Sequence, residues 1–248
     1  QPMLQTCVQC LNSYQERNMV LVCDTMAFVI ECCKSRHDIV RSPAFLQMMM
    51  PPLIARWNGL QNADDHAFVP LMEAMTSVAP AVGAAFEPFA PPVFAKCITI
   101  IEKALDVGSS EYYIDVDPMC VALDLIAGIA EGLGPAFLGL LSASNFLELL
   151  LHCLQFHDLD VQQSSFGCLG EVAKACPQYI IQGLASIVPE CMKGMEQCFG
   201  DECVVDADDA DGDDVTNVCN NAIWSVGEIV MKVGPGHMQH FLGPILNK

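Results

Sequence analysis

The chain has 248 residues, of which 52% are hydrophobic and only 17% charged; 11 Lys and Arg face 30 Asp and Glu, for a net charge of −19. That much apolar material supports a sizeable core and rules out disorder over most of the length. The scarcity of cations excludes a nucleic-acid surface and disfavours anionic membranes, whereas basic partners would be drawn in by the acidic field.

Apolar residues recur at three- and four-residue spacing, and no long alternating pattern appears, so the chain reads as helix after helix. The spacing predicts helices near 2–13, 18–33, 43–58, 65–83, 90–106, 118–133, 145–156, 159–176, 178–197 and 215–233, with a last helix that starts near His237 and is cut off. Pro118 and Pro177 suit first-turn positions, where no backbone donor is needed, and Pro51 and Pro52 inside an apolar run predict a kink. The first residues read as the middle of a helix and no signal peptide is evident, so the chain is expected to be a fragment. No stretch reads as apolar for long enough to cross a bilayer; the nearest, 137–156, is broken by Ser142, Ser144, Asn145, Glu148 and His152.

The 14 cysteines do not read as a disulfide framework. Cys97, Cys120, Cys153, Cys168, Cys191 and Cys219 sit inside helical patterns and read as small hydrophobes of a reducing compartment, the cytosol, the nucleus or both. The Cys7–Cys10 and His237–His240 pairs lie at opposite ends of the chain, so neither a zinc site nor any other metal or cofactor is expected. Glycine-rich phosphate loops, GxSxG and HExxH are absent, and the chain is expected not to be an enzyme.

Three segments align: VALDLIAGIAE (121–131), VQQSSFGCLGE (161–171) and VCNNAIWSVGE (218–228). Each has Val first, a small residue tenth (Ala130, Gly170, Gly227) and Glu eleventh. The first two lie 40 residues apart and the last two 57, the excess being an acidic insertion at 200–214. The stretch 158–171 also carries the Asp-Val start and Leu-Gly ending common in second helices of HEAT repeats. The fold class expected is therefore all-α: a HEAT-repeat α-solenoid over 1–248, with about five antiparallel helix pairs stacked in a superhelical arch plus a truncated last helix. Stacking leaves an apolar face on each terminal unit.

On a helical wheel, the fourth, seventh and eleventh residues of each segment share a face. The fourth are Asp124, Ser164 and Asn221, the seventh Ala127, Gly167 and Trp224, the eleventh Glu131, Glu171 and Glu228. The opposite stripe is apolar (Ile126, Phe166, Ile223; Ile129, Leu169, Val226) and should face the core. Trp224 therefore reads as an exposed binding anchor, against the alternative of an indole filling a gap between helices. The glutamates are either solvated helix positions or an acidic ladder suited to an extended basic peptide with a few apolar anchors. The segment 201–214 holds eight acids in fourteen residues. It fails as a calcium loop, because Ala207 and Val218 would stand where the first and twelfth ligands belong, and reads as a disordered acidic loop joining the two helices of one repeat.

The stretches MMMPPLIARWN (48–58), VALDLIAGIAEGLG (121–134), QSSFGCLGEVAKAC (163–176) and VCNNAIWSVGEI (218–229) closely resemble, in the same order, the C-terminal half of the transportin family, the importin-β-superfamily karyopherins that act as nuclear import receptors. The resemblance implies a concave face that binds basic, extended proline-tyrosine nuclear localisation signals of cargo proteins, often RNA-binding ones. It also implies Ran GTPase bound through an N-terminal arch absent from this chain, contact with nucleoporins, and shuttling between cytoplasm and nucleus. Trp224 matches a cargo-contacting tryptophan of the family, and Asp124 and Glu131 match acidic cargo-binding positions. Glu171 stands where the family usually has Asp, Thr216 where an apolar contact residue is usual, and Cys120 where a branched aliphatic is usual; the acidic stretch is longer than the family's connection. The half of the signal site that receives the proline-tyrosine pair is absent, so this chain should take the N-terminal hydrophobic or basic epitope. The alternative is a generic HEAT scaffold or regulatory subunit that binds a folded partner.

Overall fold

The computed structural model describes residues 2–13, 16–59, 68–107, 115–197 and 210–246, and every regular element among them is helical. The α-helices are α1 (Pro2–Ser13), α2 (Glu16–Cys33), α3 (His37–Val40), α4 (Pro43–Gly59), α5 (Phe68–Val82), α6 (Ala90–Val107), α7 (Asp117–Leu133), α8 (Leu138–Ser142), α9 (Phe146–Leu154), α10 (Leu159–Ala175), α11 (Pro177–Ile181), α12 (Leu184–Glu196), α13 (Ala210–Val233) and α14 (Pro235–Leu246). Two rows result. In one, α2, α5, α7, α10 and α13 pack in succession; in the other, α1, α4, α6, α9 and α12 back them, paired as α1/α2, α4/α5, α6/α7, α9/α10 and α12/α13. This is a HEAT-type α-solenoid, an architecture that follows from the sequence: each pair has one apolar stripe too many to bury alone, and stacking buries it.

Local signals explain the helix ends. The Asp158 carboxylate caps α10, accepting from the Asp160 and Val161 amides at 3.0 and 3.2 Å. Pro118 and Pro177 fall in the first turns of α7 and α11. Three helices of the first row stop at a glycine in the left-handed region, Gly83 after α5, Gly134 after α7 and Gly234 after α13, where any side chain would be strained. Scarce cations tie neighbouring helices together at carbonyls: within the second row Arg56 Nε of α4 donates to Leu11 O of α1 at 2.6 Å and Lys96 Nζ of α6 to Trp57 O of α4 at 3.0 Å, and Arg41 Nε, after α3, donates to Ala81 O of α5 at 3.2 Å.

Several boundaries differ from the periodicity. The helix expected over 178–197 is two, α11 and α12. Gly183 closes a turn on Ile180 O and reopens one to Ser186 and Ile187; both helices pack on α13, α11 also on α10 and α8, and α12 also on α9. The helix α13 begins at Ala210 rather than 215, so the end of the acidic run falls in its first turns. The remainder of the expected acidic loop lies outside the described residues. The helix α4 continues through Pro51 and Pro52. Two stretches, Phe68–Phe86 and Asp117–Ser142, are in fact long and apolar enough to cross a membrane; both are central members of the first row, and much of each is buried against neighbouring helices.

The cysteines read as small hydrophobes are buried, except for half-buried Cys120, and every described cysteine is a free thiol. Of the apolar stripe, Ile126, Ile129, Phe166, Leu169 and Val226 are buried, but Ile223 is 48% exposed. Periodicity gives a residue's angle on its helix, not whether a neighbour stands there, and α13 is the last helix of its row among the described residues. Met231 on α13 and Leu21 and Phe28 on α2, at the other end of the row, are exposed likewise.

Candidate peptide-binding groove

The first row of helices forms the walls of one groove of ≈ 420 Å³. From α2 and the turn after it come Glu31 and Lys34; from α5, Thr76, Ser77 and Pro80; from α7, Asp124, Ala127, Gly128 and Glu131; from α10, Gly167 and Glu171; from α13, Trp224. The alignment of three segments extends to two more. With Asp24 and Glu31 set against Asp124 and Glu131, α2 reads LVCDTMAFVIE from Leu21, and with Glu73 at the fourth place α5 puts Thr76 seventh and Pro80 eleventh. The groove is thus built mainly from the seventh, eighth and eleventh places of successive helices. Periodicity predicted both helices but did not place α2 and α5 on this face, because neither begins with Val and has a small residue before a final Glu, and proline replaces glutamate on α5.

Trp224 lies in the groove wall, 38% exposed, with its six-membered ring against Gly170 of α10. It packs across the contact between α13 and α10 and keeps part of its surface open to the groove. Asn221, one turn earlier, is half-buried and donates Nδ2 to Gln163 O at 2.9 Å, pinning α13 to α10. Asp124 is joined to α10 by a hydrogen bond from Ser164. The fourth-place residues therefore bind neighbouring helices together, while the seventh and eleventh places line the open space.

The three eleventh-place glutamates are electrostatic neighbours. Burial pushes the Glu171 carboxyl up; Lys174, whose Nζ lies 3.2 Å from Glu171 Oε2, pulls it back, and the charges of Glu131 and Glu228 raise it again. Glu131 is exposed and Glu228 half-buried. Lys34 pairs with Glu31 and feels the charge of Glu131. Further along, Glu73 is raised by burial, then by Asp24 and Asp117. Cys120 lies one turn before Asp124, half-buried, its thiol pushed up to about 12 by burial and by the carboxylates of Asp124, Asp158, Asp160 and Asp117, so it stays protonated. Thr216 is exposed two turns before Trp224. Cys120, Thr216, Asn221 and Glu228 are not among the residues that line the groove. Among the described residues no group of three or more His, Cys, Asp or Glu side chains is placed to hold a metal ion.

Burial raises Asp124 most, to about 6, against the Ser164 hydrogen bond that lowers it and with Glu73 adding to the rise. In the unfolded chain the carboxyl ionises near 3.8. Between the two values the folded state holds a proton the unfolded state has lost, so stability falls as pH rises from about 4 to about 6. Asp124→Asn removes this penalty and should be more stable than the parent at pH 7.5 by on the order of 2 kcal/mol, since a tenfold change in acidity corresponds to about 1.4 kcal/mol. Urea unfolding across this range should show the two curves converging near pH 4. A variant less stable at pH 7.5 would contradict the assigned burial.

Fold and groove together define a helical-repeat solenoid with an acidic, indole-bearing channel. The chain is homologous to transportin-1. Mouse transportin-1 is 34% identical over 252 residues, covering 99% of this chain and 26% of that protein, and human transportin-1 is 33% identical over the same length and shares. Importin subunit beta-2 of Saccharomyces cerevisiae is 27% identical over 236 residues, 91% of this chain and 24% of that protein. The chain thus spans about a quarter of the length of the curated relatives it matches. No protein-family model matches it. Among solved structures, an engineered protein at 15% identity superposes with a TM-score of 0.51 over 96% of this chain and 88% of that one, a likeness of fold.

Proposed function

We propose that this chain is the cargo-binding part of a nuclear import receptor, and that its groove captures basic, extended segments of the proline-tyrosine type of nuclear localisation signal on the concave face of the solenoid. The observation that carries the reading is the meeting of Trp224 with Glu131 and Glu171 from three successive helices in one groove. Homology to transportin-1 supports the receptor role. An extended segment offers backbone and side chains to several helices at once. Its cations meet the carboxylates, and an apolar side chain rests on the indole. Each exposed ion pair adds less than about 1 kcal/mol, so affinity needs several contacts and burial of the anchor. No bond is made or broken; the protein binds and releases. As part of a longer receptor it would work with a second half-site that takes the proline-tyrosine pair, and with Ran and nucleoporins engaged by the whole protein as it shuttles between cytoplasm and nucleus. A half-site alone forgoes the effective concentration of two linked sites, so its affinity is expected to be modest.

Titration of a fluorescent basic-hydrophobic signal peptide tests the reading. Binding should saturate at low salt and weaken at moderate salt, while an acidic peptide of the same length should not bind. A scaffold for a folded partner would show no saturable binding at either salt.

A further inference from the structure

We propose that Gly170 is the positioning residue of this groove: the bare backbone of α10 at this point is the seat that fixes the Trp224 indole in its ligand-facing orientation. The inference rests on the function proposed above and adds a residue that touches no ligand. A Cβ built at Gly170 would lie 2.2 Å from Trp224 Cζ3, 2.6 Å from Cε3 and 2.8 Å from Cη2, all atoms of the rigid six-membered ring. No side chain fits unless the indole moves. A Cβ at Gly132 would meet Ala79 O at 2.5 Å and one at Gly194 would meet Phe166 Cζ at 2.6 Å, but among the described glycines Gly170 alone comes under 3 Å of a side chain that lines the groove. A Cβ at Gly167, one turn earlier on α10, would meet Asn221 Nδ2 at 3.6 Å, an ordinary contact, and one at Gly227 would meet nothing within 4 Å.

The seat is held from both helices. Asn221 pins α13 to α10 one turn below through Gln163 O, and Glu171, next to Gly170 in the chain, brings its carboxylate to the same groove. An indole already fixed loses little freedom when a ligand stacks on it, so preorganisation goes into affinity. The small residue in the tenth place therefore has a function on α10 because the following helix carries tryptophan in its seventh place.

Gly170→Ala adds one methyl, and helix propensity favours the change, so the backbone is expected to hold. Peptide binding should nonetheless fall nearly as far as in Trp224→Ala, at least tenfold, while Gly227→Ala, where an added methyl meets nothing within 4 Å, binds like the parent. On the Trp224→Ala background, Gly170→Ala should cause no further loss. The emission of Trp224, taken as the difference between each protein and its Trp224→Phe counterpart to remove the contribution of buried Trp57, should shift to the red in Gly170→Ala as the indole leaves its seat. Phe lacks the outer ring that would clash, so if Gly170→Ala unfolds, the pair Gly170→Ala with Trp224→Phe should regain the lost stability; failure to regain it overturns the proposal. So does parental binding by Gly170→Ala, or an equal loss on the Trp224→Ala background. Absence of peptide binding in the parent would instead reject the proposed function itself.

Discussion

Trp224→Ala should weaken binding of a basic-hydrophobic signal peptide by about 30-fold or more, the scale of a binding hot spot worth at least about 2 kcal/mol. The expectation rests on where the indole lies. Its 38% exposure is large for so bulky an apolar group, and its six-membered ring lies against Gly170 of the neighbouring helix. A ligand that covers the indole removes that remaining surface from water, and the flanking glutamates hold the ligand's cations close. Removing the side chain should leave the helix content unchanged, because α13 remains fixed by Asn221 and by buried Val218, Ala222 and Ile229. Circular dichroism and isothermal titration on the same sample separate the two effects. A binding loss accompanied by a collapse of helix signal would mean that the indole is structural.

Phe166→Ala should produce the largest loss of stability, about 3–5 kcal/mol by the usual cost of emptying a buried aromatic site. Phe166 is 1% exposed on α10, and its ring fills the space that a side chain at Gly194 of α12 would take, close to Ala222 of α13. One ring therefore joins three helices. Because stacked repeats contact mainly their neighbours, the damage should be local before it is global. Hydrogen exchange should accelerate first in α12 and α13, with α5 and α6 protected as in the parent, and urea unfolding should move to lower concentration. A shift worth less than about 1 kcal/mol would contradict the packing described.

The helical period of the sequence carried much of this arrangement, and its failures have physical causes. The Val-to-Glu segments placed Glu131, Glu171, Glu228 and Trp224 on one stripe, and three of these four line one groove. The same segments could not show that Gly170 and Trp224 touch, since that contact joins two helices and depends on how they cross. They assigned Ile223 to the core by angle alone, where no described helix covers it. Lys34 and the helix α5 entered the groove without a motif, because a wall needs only small or polar side chains at the right turn. The start of α13 was hidden by the acidic composition of the run it begins in, which reads as a loop.

The central claim is that the row α2, α5, α7, α10 and α13 holds the ligand. A rival acidic patch exists on the other row, where Glu102, Asp106 and Glu148 surround Asn145 and His152 between α6 and α9. A basic-hydrophobic peptide bearing a photoactivatable cross-linker, followed by mass spectrometry of the adducts, distinguishes the two. The account predicts adducts concentrated on α7, α10 and α13 around Glu131, Glu171 and Trp224; adducts concentrated on α6 and α9 would contradict it.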